Sequence, residues 1–70
     1  MIYSIKERAS NKAFAKISNL HMDIKDLVND IKEKRTGGIS MEQLELVLDG
    51  TRLELDTWKY IATLIEKNNI

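Results

Sequence analysis

The sequence predicts an all-α fold, a long antiparallel αα-hairpin, and three observations carry that expectation. Apolar residues recur at alternating spacings of four and three through Ala13, Ile17, Leu20, Ile24, Leu27 and Ile31. A second run, Met41, Leu44, Leu48, Thr51, Leu55, Trp58, Ala62 and Ile65, alternates three and four. Such spacing keeps one stripe of each helix turned toward a partner helix. Between the runs, Thr36-Gly37-Gly38-Ile39 is the one strong turn signal. The 70 residues are expected to form a single helical domain, 1–70, with two arms.

The first arm is expected over about residues 4–35. Ser4-Ile5-Lys6-Glu7 has the form of a capping box, in which the serine accepts a backbone N–H and the glutamate reaches back. Lys32, Lys34 and Arg35 suit the negative end of the helix dipole. Gly37 then fits a left-handed C-terminal cap. No proline interrupts either arm.

The second arm is expected over about residues 40–68, opened by the capping box Ser40-Met41-Glu42-Gln43. Asp49-Gly50-Thr51 could break it, and Thr51-Arg52-Leu53-Glu54 could cap a third helix. Continuity is favoured, because the 3-4 phase does not slip across Gly50. A turn normally resets that phase. Continuity also brings the second arm close to the length of the first, as a hairpin requires.

Each arm carries apolar residues beyond its main stripe. Phe14, His21 and Val28 recur at seven-residue spacing in the first. Leu46, Leu53, Tyr60 and Leu64 form a second line in the other, with Val47 and Ile61 nearby. A two-helix hairpin needs one seam per helix, so the excess calls for a cover. A second copy is the simplest one, which predicts a homodimeric four-helix bundle. Size argues the same way. Small folds lean on disulfides, metals or oligomerisation, and this chain has no cysteine and one histidine. Neither a thiolate metal site nor an ordinary zinc site is expected.

The charges balance overall, but residues 1–35 hold eight Lys/Arg against five Asp/Glu and residues 36–70 hold three against six. Attraction between antiparallel arms is the expected reading of that split. No apolar run reaches the length of a membrane span. The first seven residues lack the charged and apolar regions of a secretory signal. A cytoplasmic location with no membrane contact is expected.

No constellation for catalysis stands out. His21 has no His-Glu-x-x-His companion and no serine or cysteine in triad arrangement. It reads as a bundle-edge residue, with pH sensing open to it only inside a dimer seam. Glu42, Glu45, Asp49 and Asp56 fall on one side of the second helix. They read first as a solvated face and second as a charged partner patch. Lys6, Arg8, Lys12 and Lys16 form a basic cluster, but a sequence pI near 6.6 is low for a nucleic-acid binder. A helix-turn-helix around Gly50 would carry Glu54, Asp56 and Glu66 toward phosphates. Trp58 reads as core. Leu46, Leu53, Tyr60, Ile61, Leu64 and Phe14 are the candidate self-association or partner-binding residues.

In outline the hairpin resembles the dimeric, plasmid-encoded RNA-loop-binding repressors of primer and the small helical chaperones of type III secretion. The resemblance is one of shape, and no residue role follows from it. The expected function is that of a small non-enzymatic protein, without cofactor, that binds and regulates or inhibits a larger protein. The size and the Ile-, Lys- and Asn-rich composition suit a phage or mobile element. A dimeric nucleic-acid-binding regulator and a secretion or assembly chaperone are the alternatives.

Overall fold

The computed structural model describes residues 4–67. Two helices, α1 over Ile5–Lys32 and α2 over Met41–Lys67, pack against each other as a hairpin. No strand occurs among the described residues. α2 runs unbroken through Gly50, as its unslipped apolar phase predicts. The expected end of the second arm at residue 68 lies outside the described residues.

Both helices start at serine caps. Ser4 is extended (φ −65°, ψ 163°), and its Oγ accepts the Glu7 N–H at 3.1 Å. At Ser40 the box is reciprocal: Gln43 N–H donates to Ser40 Oγ and Ser40 N–H to Gln43 Oε1, each at 3.1 Å. Two backbone donors that the helix leaves without intrahelical partners are thereby satisfied.

The end of α1 differs from expectation. The helix stops at Lys32, three residues short of Arg35, and Gly37 is not its cap. Glu33 is the cap residue and Lys34 takes the left-handed conformation, φ 58°. Lys34 N–H donates to the Ile31 carbonyl at 3.1 Å and Arg35 N–H to the Asp30 carbonyl at 2.8 Å. That pair of bonds is a Schellman motif closed by a non-glycine residue. The two glycines serve the next reversal. Ile39 N–H donates to the Thr36 carbonyl at 3.2 Å, and Gly37 and Gly38 between them have φ of 60° and 93°. Positive φ at both central positions is the type I′ pattern, which side chains with a Cβ seldom enter.

The core is small. Among the described residues Ala13, Leu20, Leu44, Leu48 and Leu55 are buried, and no polar or charged residue is. Half-buried flanks extend the seam along Ile17, Ile24, Leu27 and Ile31 of α1 and Met41, Thr51, Trp58, Ala62 and Ile65 of α2. The expected inter-arm attraction does not take the form of ion pairs. Among the described residues both ion pairs belong to Arg35, with Asp30 at 3.3 Å and Glu33 at 3.0 Å, and none joins α1 to α2.

The hairpin measures 46 × 23 × 15 Å, so it is one helix thick. Its radius of gyration is 15.7 Å, against about 11 Å for a compact domain of 70 residues. Its accessible surface is 5631 Å², where a compact monomer of 8.1 kDa exposes about 4,500 Å². Such a layer buries one face of each helix and leaves the others open.

Candidate interaction surface

α2 is apolar on two opposite sides. At 3.6 residues per turn, Leu46, Leu53, Tyr60 and Leu64 lie roughly half a turn from the Leu44–Leu48–Leu55 seam. They therefore face away from α1. Their exposures are 63%, 68%, 65% and 45%, whereas the three seam leucines stand at 6–8%. Among the described residues these four side chains stay exposed.

The same face contains two residues that a search for large apolar side chains misses. Gly50 and Thr57 complete a continuous 4-3-4-3-4 series, 46-50-53-57-60-64. Spacing is the signal that could have found them. Gly50 is exposed, and a Cβ built on it would meet nothing within 4 Å. Thr57 is also exposed, but its hydroxyl donates to the Leu53 carbonyl at 3.0 Å. Its polar atom is satisfied within the helix, which frees its methyl group for an apolar contact.

The remaining candidates fall elsewhere. Ile61 is half-buried between the two sides of α2, about a sixth of a turn from the far-side series and close in angle to Gly50. Phe14, 55% exposed, lies on a flank of α1 with exposed His21 and Val28. The α2 series points away from α1, so Phe14 does not join it in one patch. Trp58 is half-buried on the seam, as its phase predicts.

Charge lines one border of the far-side series. Glu42, Asp49 and Asp56 run along that border, with Glu45 one step further round. All four are exposed, and none forms an ion pair among the described residues. Lys67 lies on the same border at the other end of α2 and is exposed too. Of the basic cluster on α1, Lys6 is half-buried in line with the seam, while Arg8, Lys12 and Lys16 are exposed.

No protein-family model, curated protein or solved structure matches this chain significantly. Among the described residues no group of three His, Asp or Glu side chains is placed to hold a metal ion, and no helix is long and apolar enough to cross a membrane. A depression of about 440 Å³ is lined by Lys25, Asp26, Val28, Asn29 and Lys32. All five belong to α1, so it is a dent in one helix surface rather than a cleft between elements. What the structure offers is exposed apolar side chains on helix faces bordered by charge.

Proposed function

We propose that this chain is a small non-enzymatic interaction protein that works as a homodimer and regulates or inhibits a larger protein by docking on it. The observation that carries the reading is the far side of α2. Four large apolar side chains stand exposed there on a hairpin with only five buried residues among those described. Contiguous apolar surface of this kind is uncommon on monomers and marks interaction sites.

Self-association occupies the far side of α2. Phe14 and Val28 on the α1 flank remain outward and supply the apolar contact for the larger partner. Nucleic-acid binding is less well supported, because Lys and Arg number 11 against 11 Asp and Glu. The exposed basic residues of α1 also share the chain with a long acidic border on α2.

The test is affinity capture from a lysate of the source organism with the wild-type chain and with Phe14→Glu, followed by mass spectrometry. The proposal expects one protein retained by the wild type at fixed stoichiometry and lost by the variant, while both chains stay dimeric. Retention that high salt and nuclease abolish would favour the nucleic-acid reading instead.

A further inference from the structure

We infer that two copies of this chain pair α2 against α2 in one antiparallel register, in which Tyr60 of each copy fills the notch left by Gly50 of the other. The inference rests on reading the far side of α2 as the self-association seam, and it adds the geometry of that seam.

The series 46-50-53-57-60-64 is symmetric about position 55. Running a second α2 the opposite way therefore matches every member with another. Leu46 meets the partner's Leu64, Gly50 meets the partner's Tyr60, and Leu53 meets the partner's Thr57. Each match occurs twice, as a twofold interface requires. The largest side chain of the series lands opposite the residue with none, the size alternation that lets two helices interdigitate.

Gly50 is otherwise unexplained. It sits inside a helix, where glycine weakens the structure relative to alanine. Its φ is not positive, and no neighbour would obstruct a Cβ. Nothing within the hairpin calls for glycine there, whereas a tyrosine arriving from a second copy does.

Charge agrees at both ends of the seam. Glu42 and Lys67 lie on the same border of α2, and the register brings Glu42 beside the partner's Lys67 twice. Asp56 approaches its own mate near the twofold, a like-charge contact that opposes the pairing, with Arg52 of each copy about one turn away to offset it. A parallel pairing would stack glycine on glycine, leaving a gap, and would align the two helix dipoles unfavourably. The hairpin as a whole exposes roughly 1,100 Å² more than a compact monomer of its mass, surface that a second copy would reduce.

Cysteine cross-linking tests the register cleanly, since the chain has no cysteine of its own. Leu46→Cys and Leu64→Cys are made singly and together, and each chain is treated with a short bis-maleimide. Within one helix these positions are roughly 27 Å apart, beyond the reagent's reach. The register predicts that the double variant becomes mostly covalent dimer while each single variant stays uncross-linked. Efficient cross-linking of either single variant would mean a parallel seam and overturn the inference. So would an uncross-linked double variant in a chain that still sediments as a dimer. A wild-type chain that is a folded monomer at micromolar concentration would instead overturn the self-association reading beneath it, and partner capture would remain a separate question. As a second probe, Gly50→Leu should weaken dimerisation at least tenfold with helix content unchanged. Undiminished dimerisation in that variant would contradict the Tyr60–Gly50 match.

Discussion

Arg35 and Asp30 are joined twice: the Arg35 N–H donates to the Asp30 carbonyl at 2.8 Å, and the Arg35 guanidinium lies 3.3 Å from the Asp30 carboxylate. In a Schellman motif these two positions commonly make an apolar contact. Here an ion pair takes its place, and Glu33 shares the same guanidinium at 3.0 Å. The backbone bonds close α1, and the chain then enters the Gly37-Gly38 turn that leads into α2.

Replacing Arg35 should show how little an exposed pair contributes. The arginine side chain is 57% exposed, and its partners 41% and 53%. Arg35→Ala should cost no more than about 1 kcal/mol, less at high salt. Urea denaturation at two ionic strengths measures it.

Lys34 offers the opposite sign. Its backbone is left-handed at φ 58°, which L-residues other than glycine hold at a cost of roughly 1–2 kcal/mol. Lys34→Gly removes that strain but frees the unfolded chain and gives up a charge near the helix C-terminus. A net gain of about 0.5–1 kcal/mol is expected, seen as a higher denaturation midpoint at fixed chain concentration.

The start of α2 should be sensitive at Ser40. Its hydroxyl accepts the Gln43 N–H, and Gln43 returns the bond. Ser40→Ala should cost about 1 kcal/mol. Gln43→Ala leaves the hydroxyl cap in place and should cost less. Thermal melts followed by circular dichroism distinguish the two.

Most of the hairpin is legible in the sequence, and the exceptions have physical reasons. The continuity of α2 shows in the unslipped phase across Gly50, because a helix that keeps one face buried must keep its 3-4 rhythm. The serine caps show because capping depends on residue type. The end of α1 does not. Its closing motif is built from backbone bonds around Glu33 and Lys34, two ordinary surface residues that no propensity flags as a stop. Gly37, the obvious stop signal, lies four residues beyond the cap residue and belongs to the next turn. At the interaction surface, Leu46, Leu53, Tyr60 and Leu64 are readable from spacing. Gly50 and Thr57 escape, since an apolar pattern counts large side chains and overlooks the notch between them. Phe14 resembles the series in hydrophobicity, but it stands on the helix that the series faces away from.

Leu55 and Leu53 separate the two sides of α2. Leu55 is 6% exposed in the hairpin core, so Leu55→Ala should cost about 2–5 kcal/mol and unfold much of the chain. Leu53 is 68% exposed, and in an isolated hairpin Leu53→Ala would change stability by no more than about 0.5 kcal/mol. In a dimer it should make the melting temperature fall and become more dependent on chain concentration. Melts across a wide range of chain concentration compare the two variants.

Sedimentation equilibrium of the wild-type chain beside Leu53→Glu decides whether the far side of α2 joins two copies. Burying an unpaired carboxylate in an apolar seam is costly, whereas Lys59→Glu, away from the seam, serves as a control that also adds negative charge. Pairing through α2 predicts a wild-type mass of twice 8.1 kDa at micromolar concentration, retained by Lys59→Glu and lost by Leu53→Glu. A well-folded wild-type chain that sediments at 8.1 kDa would contradict it.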